Sequence, residues 1–118
     1  MRLARPVVVA LMTLTALGCR LDAERTLLTR FFAASRLRDL TALSKISTVV
    51  FEPLADGVIT SYEIATVRDR GGSEEVWLTA PVRVPDGRTV TKDFVVTIER
   101  GRVTAISERP AAASTPRR

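Results

Sequence analysis

The chain contains no histidine and only one cysteine among its 118 residues. Without histidine it lacks the commonest general base and metal ligand, and without a second cysteine it can form neither an internal disulfide nor a cysteine-rich zinc site. No aspartate-rich loop of the kind that binds calcium is present either. We therefore expect no cofactor, no metal and no catalytic residues.

The one cysteine, Cys19, stands at the end of a short apolar segment. Two arginines near the N-terminus precede an uncharged stretch over residues 6–18, and Cys19 follows directly. This is the layout of a secretory signal, and it is shorter than the roughly 20 apolar residues that span a bilayer. The tetrapeptide Ala16-Leu17-Gly18-Cys19 resembles the lipobox of bacterial lipoprotein signal peptides. An ordinary cleaved signal, or a free cysteine buried in a helix, is the alternative.

The lipobox resemblance implies a location for the protein. Residues 1–18 would be a signal peptide that is removed, and acyl chains such as palmitate would be attached at Cys19. Two or more acyl chains give stable membrane anchoring, so membrane lipid is an expected partner through the acylated Cys19. The protein would then be exported and lipid-anchored at the cell membrane or outer membrane, on the periplasmic side if the host has two membranes. Arg20, in place of aspartate, favours the outer one.

Charge and length limit the remaining possibilities. There are 18 Lys and Arg against 13 Asp and Glu, but two of these arginines lie in the signal and two more end the chain. With scattered charges and few aromatic residues, no nucleic-acid partner is expected. The proline-bounded stretch 110–118 is predicted to be a disordered tail, which leaves a single domain over residues 19–109.

Two helices are predicted at the start of this domain. The first spans Leu21–Ser35, with Asp22 as its N-cap. Its apolar residues recur at helical spacing. Asp39 is predicted to cap a short second helix. The apolar stripes of the two helices comprise Leu27, Leu28, Phe31 and Phe32 in the first, and Leu40, Leu43 and Ile46 in the second.

The rest of the domain has the pattern of β-strands separated by turns. Pro81 within one run indicates either an edge strand or a bulge. The order of elements predicts an α+β fold, with N-terminal helices packed on a curved antiparallel sheet of four to five strands and a pocket on its concave side. The predicted strands are 48–52, 58–69, 75–84, 88–99 and 102–108, with turns at Gly71-Gly72, Pro85-Asp86-Gly87 and Arg100-Gly101.

Residues 22–108 resemble the nuclear transport factor 2-like superfamily. The resemblance rests on the stretch 28–43, with its aromatic pair, Asp39 turn and Leu-x-x-Leu, on the turn 86–88, and on the paired runs 94–99 and 101–106. It implies a cone-shaped fold, frequent dimers through the sheet and a cavity beneath the curved strands. Members include isomerases, dehydratases, polyketide cyclases and non-enzymatic binding domains, so the fold does not choose a function.

An isomerase- or dehydratase-like enzyme is one hypothesis. Glu63, Asp69 and Asp93 are the possible carboxylates, but their positions on strands and beside turns favour solvated surface residues, and Lys92 is expected to pair with Asp93. Where family isomerases place a tyrosine donor, this chain has Phe31 and Phe32.

A non-catalytic envelope lipoprotein is the favoured hypothesis. It would bind a small apolar ligand in the cone, or another envelope protein or a second copy through its sheet. A structural or assembly subunit of an envelope complex is a third possibility. Trp77 and Tyr62 are the candidate interaction or pocket residues, because aromatic side chains are favoured at interfaces. For Trp77 the alternative is that it lines the second side of a wrapped core.

Overall fold

A computed structural model describes the backbone of residues 4–109 and the side chains of residues 21–109. The side chain of Cys19 and the predicted tail over residues 110–118 lie outside this range. Within it, no helix is long and apolar enough to cross a membrane. The elements are α1 (Ala4–Leu37), α2 (Leu40–Ile46), β1 (Val58–Ile59), β2 (Glu63–Asp69), β3 (Glu74–Arg83), β4 (Thr89–Glu99) and β5 (Arg102–Glu108).

The first helix starts earlier than predicted. α1 is continuous from Ala4 to Leu37, so the predicted start at Leu21 with Asp22 as N-cap is wrong for this chain. An N-cap requires non-helical backbone, and between Ala10 and Asp22 no proline interrupts the helix-forming residues. The predicted apolar stripe is confirmed by the burial of Leu28 and Phe31.

A tight corner joins α1 to α2. Arg38 adopts a positive φ of 56°, and the next N–H group, that of Asp39, donates to the Ala34 carbonyl at 2.9 Å. This is the pattern of a Schellman termination, in which glycine is the usual residue at the left-handed position. The Asp39 carboxylate then accepts the Ala42 N–H at 3.1 Å, which confirms it as the N-cap of α2.

The second helix buries less than its pattern indicates. Leu43 is buried in the core, whereas Leu40 remains 67% exposed. The predicted shared face of Leu40, Leu43 and Ile46 is therefore wrong at its first position. Leu40 begins the helix immediately after the corner, where the sheet does not cover it.

The predicted strand over residues 48–52 is also wrong. An isolated parallel bridge joins the preceding residue, Ser47, to Val103, and residues 48–52 belong to no strand. The buried side chain of this segment, Phe51, still joins the core. The backbone donors are bound individually instead of in a ladder: the N–H groups of Val49, Phe51 and Glu52 donate to side-chain oxygens of Ser47, Ser35 and Asp56, respectively.

Five antiparallel strands form one sheet in which β1 and β2 both pair with the same side of β3, followed by β4 and β5. The predicted single strand 58–69 is thus divided in two. The interruption lies opposite Ala80 and Pro81, which pair with β4 but have no partner in β1 or β2. Proline cannot donate to a ladder. β3 as a whole is internal, so Pro81 does not lie on an edge strand, and the register with β4 has no bulge at Pro81. At this position, however, β3 has no partner on the side of β1 and β2, so the edge is local.

The other strands agree with their predicted bounds to within one residue, and the three turns lie where predicted. Arg100 and Gly101 have φ values of 53° and 75°, the positive pair that a two-residue type I′ hairpin needs. Alternation along β3 buries every second side chain, from Val76 to Val82.

The two helices pack on one face of the curled sheet, which confirms the α+β class. A chain of edge-on phenylalanine contacts links the layers: Phe31 to Phe32 at 5.3 Å, Phe32 to Phe51 at 5.9 Å, and Phe51 to Phe94 at 5.6 Å between ring centroids. Aromatic pairs in this geometry add about 0.5–1.5 kcal/mol beyond their burial. They also hold the irregular segment 48–52 against the sheet, next to the site described below.

Candidate functional site

A cavity of about 560 Å³ opens at one end of the concave side, between the irregular segment and β5. Small-molecule sites in proteins commonly measure about 300–1,000 Å³. We call it the edge cavity. Its lining comprises Val49, Val50, Phe51, Ala55, Asp56, Val84, Lys92, Phe94, Thr104, Ala105, Ile106, Ser107 and Glu108.

The floor of the edge cavity is apolar. Phe51 and Phe94 are almost fully buried, and Val84 and Ile106 pack against the core from the half-buried positions beside them. The floor can contact an apolar group, although polar groups make up more of the exposed lining than apolar groups do.

Charged groups stand at the rim, and each has a partner. Lys92 Nζ lies 3.3 Å from Glu108 Oε1, and the Asp56 carboxylate accepts the Glu52 N–H at 2.8 Å. The predicted pairing of Lys92 with Asp93 is wrong, because neighbouring residues of a strand point to opposite faces. The rim therefore offers one ion pair and one carboxylate bound to a backbone N–H group, which a ligand could reorganise.

One wall of the edge cavity is the open edge of β5. Five consecutive residues, 104–108, line the cavity, although successive side chains of a strand point to opposite faces. A cavity that contacts all of them must run along the backbone edge. Among residues 4–109, β5 pairs with β4 alone, so in that part of the chain this edge has no neighbouring strand beyond the bridge at Val103.

The direction of the backbone groups on β5 follows from one hydrogen bond. The Arg109 N–H donates to the Asp93 carbonyl on β4 at 2.7 Å. In an antiparallel ladder the bonding groups alternate along the strand, so Ser107 and Ala105 also face β4. The N–H and C=O groups of Ile106 and Glu108 consequently face outward, along the edge cavity.

The first residues of α1 whose side chains are described lie near the β4–β5 turn, at the end of the sheet away from Glu108. Ala23 and Leu27 line two clefts together with Gly101, beside the β4–β5 turn, and Ile98 lines the smaller of them. The edge cavity begins at Thr104 and reaches Glu108, at the far end of β5. β5 has seven residues, or roughly 20 Å at the usual rise, so Glu108 is the part of the strand farthest from the turn.

Tyr62 connects the sheet to α1. Its hydroxyl donates to the Arg25 carbonyl at 2.7 Å and lies 2.8 Å from Thr29 Oγ1. Its ring packs 5.6 Å from that of Phe32. Tyr62 is not among the residues that line the edge cavity, and these contacts give it a role in fastening the β1–β2 connection to the helix.

Trp77 lies on the outer face of the sheet, opposite the helices, between Thr66 and Val95 on the adjacent strands. It is half-buried and does not belong to the core cluster. The guanidinium carbons of Arg68 and Arg109 lie 4.2 and 4.0 Å from its ring centroid, within cation–π range. The structure thus places Trp77 at the surface, among cations, and away from the edge cavity.

Glu75 completes the cluster around Trp77. Its carboxylate accepts hydrogen bonds from Arg70 at 3.1 Å and from the Trp77 indole N–H at 3.4 Å. The Arg70 hydrogen bond, followed by that of Trp77, lowers the pKa of Glu75 below its ordinary value. The carboxylate is therefore stabilised in its charged form, since both donors favour it.

The three carboxylates considered for catalysis lie outside the edge cavity, and Glu63 and Asp93 are on the two strands that flank Thr79 of β3. Glu63 is exposed, Asp69 accepts the Gly71 N–H in a turn at 2.9 Å, and Asp93 accepts the Thr79 hydroxyl at 2.7 Å on the outer face. Among residues with described side chains, no cluster of three or more His, Cys, Asp or Glu could hold a metal ion.

Sequence reasoning did not identify Asp56, Lys92 or Glu108 as site residues. Lys92 and Glu108 meet only because β4 and β5 are paired. The sequence offers one signal for these two residues. Each is a charged residue at a position of β4 or β5 where the alternating pattern would place a buried apolar side chain.

Comparison with known proteins finds no family model, no curated protein and no solved structure that matches this chain. The resemblance to the nuclear transport factor 2-like superfamily therefore stays a prediction, and function has to be argued from the site itself.

Proposed function

We propose that this chain is a lipid-anchored, non-catalytic binding domain of the bacterial cell envelope, and that its binding site is the edge cavity. The anchor would be acylated Cys19. The ligand would be a small apolar molecule or an apolar segment of another envelope protein. Assignment to the nuclear transport factor 2-like superfamily belongs to the same proposal, and is supported by the order of two helices followed by a curled antiparallel sheet.

The observation that carries the proposal is the apolar floor of the edge cavity beneath a paired rim. Phe94 and Ile106 can accept an apolar group, and burial of apolar area contributes about 25 cal/mol per Å². Glu63, Asp69 and Asp93 do not line this cavity. The two carboxylates that do, Asp56 and Glu108, are bound by the Glu52 N–H and by Lys92, respectively. This favours binding over the enzymatic alternative.

Binding can be measured with N-phenyl-1-naphthylamine, an apolar fluorophore whose emission rises on leaving water. We expect the full chain to enhance its fluorescence, and Ala55→Phe, which adds bulk at the cavity rim, to weaken the binding several-fold. Thr91→Phe is the matched control, because Thr91 is exposed and pairs with Pro81, away from the cavity.

The proposal fails if the folded chain gives no enhancement, or if both phenylalanine variants bind the fluorophore as the parent does. Circular dichroism spectra of the three proteins establish that each is folded before the binding is compared.

A further inference from the structure

Resting on the proposed function, we infer that the natural occupant of the edge cavity is an extended polypeptide segment, which adds to the sheet as a strand beside β5. The observation behind this is the backbone of β5, and not only the apolar floor. The edge cavity follows residues 104–108 over their whole length.

The chain itself begins this additional strand and then leaves it. The Thr48 N–H donates to the Val103 carbonyl at 2.9 Å, and Ser47 and Val103 form a parallel bridge. At the next residue the Val49 N–H turns to the Ser47 hydroxyl at 2.9 Å. The segment therefore diverges from β5, and the place that its continuation would occupy is the edge cavity.

The backbone groups of β5 that face the edge cavity can still form hydrogen bonds. The outward N–H and C=O groups of Ile106 and Glu108 make no backbone hydrogen bond to other described parts of the chain. A purely apolar ligand would remove them from water without replacing those bonds, which costs about 1–3 kcal/mol for each group. A peptide backbone would satisfy them, as in recognition by β-strand addition.

The length of the edge cavity and the residues that line it indicate the length and composition of the peptide. Five residues of β5 correspond to roughly 17 Å, the length of a five- or six-residue strand. Alternate side chains of such a strand would face the floor at Phe94 and Val84, so these should be apolar and β-branched. The Lys92–Glu108 pair at the end of the cavity would meet the polar end of the segment.

The test uses the full chain labelled with ¹⁵N and the acetylated hexapeptide Ser-Val-Thr-Val-Thr-Lys as probe. We expect the peptide to slow hydrogen exchange at the amides of Ile106 and Glu108. The amides of Ala105 and Ser107 are the internal control, because they face β4 and should be protected to the same extent with and without peptide.

Peptide variants separate backbone pairing from side-chain burial. Two methylated peptides are compared, one N-methylated at the odd-numbered residues and one at the even-numbered residues. Methylation of the set whose N–H groups face β5 should weaken binding by about tenfold, since about two hydrogen bonds are lost. Methylation of the other set should have little effect. Equal binding of both methylated peptides would overturn strand addition.

A chain variant provides a second measurement. Glu108→Pro removes one outward N–H and the rim charge, and Glu108→Gln removes the charge alone. We expect several-fold weaker peptide binding for the proline variant than for the glutamine variant. If the peptide protects neither Ile106 nor Glu108 while the naphthylamine still binds, this inference is wrong and the proposed function stands. If neither probe binds, both are wrong.

Discussion

Among the described glycines, Gly57 is the one whose positive φ coincides with close packing. It has a φ of 101°, and a Cβ atom there would lie 2.7 Å from Val82 Cγ1 and 2.8 Å from the Arg83 carbonyl oxygen. Gly57 immediately precedes β1, so the close approach lets the chain enter the sheet beside the end of β3.

We therefore expect Gly57→Ala to lower the free energy of unfolding by about 2–4 kcal/mol, from backbone strain and overpacking together. Gly71→Ala is the matched control, because Gly71 also has a positive φ of 78° but has open space where its Cβ would lie. That variant should lose only about 1–2 kcal/mol. Urea denaturation measures both, and equal losses would show that the contact with β3 has no effect.

Glu75 gives the outer face a response to pH. Because hydrogen bonds from Arg70 and Trp77 lower its folded pKa, its contribution to stability is complete above the unfolded pKa and is lost as pH falls through the folded pKa. Trp77 is the only tryptophan in the chain, so its fluorescence reports on this carboxylate.

We expect the Trp77 emission to change in a transition whose midpoint lies below the ordinary pKa of glutamate. Glu75→Gln should abolish this transition. Asp86→Asn should leave it unchanged, although the pKa of Asp86 is also lowered, by the backbone and then the side chain of Arg88. A transition that persists in Glu75→Gln would assign it to another group.

At the scale of elements, the corner between α1 and α2 depends on Asp39. Its N–H closes the first helix on Ala34 and its carboxylate opens the second on Ala42. One residue therefore fixes the angle at which α2 leaves α1 and reaches β5.

Asp39→Ala should reduce the free energy of unfolding by about 1 kcal/mol, because the N-cap acceptor is lost while the backbone bond remains. Asp39→Asn should retain most of the stability, since the amide oxygen can still accept the Ala42 N–H. Thermal unfolding of the three proteins distinguishes these results. A loss in the asparagine variant as large as in the alanine variant would point to charge instead of capping.

The irregular segment shows why some elements could not be predicted from sequence. Thr48 to Glu52 has strand-forming residues, but Ser35 and Asp56 capture its N–H groups, and Ser35 is distant in sequence. The division of β1 from β2 likewise depends on Pro81, a residue of the neighbouring strand. Both outcomes are tertiary effects that override local propensity.

The elements predicted well are those specified by local pattern. Alternation along β3 and the two-residue turn at Arg100-Gly101 are encoded within a few residues. For the edge cavity, the sequence predicted only that a pocket would lie on the concave side of the sheet. Its rim charges, Lys92 and Glu108, are 16 residues apart, and their meeting requires the β4–β5 register.

At the scale of the whole molecule, the prediction for Cys19 concerns location. Cys19→Ser should move the full chain from the membrane fraction to the soluble fraction and abolish incorporation of labelled palmitate, because the acceptor thiol is lost. Thr15→Ser, a conservative change outside the lipobox, should leave both unchanged. Membrane association that survives in Cys19→Ser would contradict lipidation.

The far end of the edge cavity and the start of the domain lie at opposite ends of β5. This arrangement determines from where a binding partner can approach the cavity. An acylated Cys19 would lie four residues before Ala23, beside the β4–β5 turn, so the bilayer would face that turn. The end of the cavity at Glu108 would then lie about 20 Å from that turn, on the side away from the lipid. Partners would be captured from the aqueous space of the envelope, or from a neighbouring protein that projects above the membrane, and each captured chain would thereby be confined to diffusion in two dimensions.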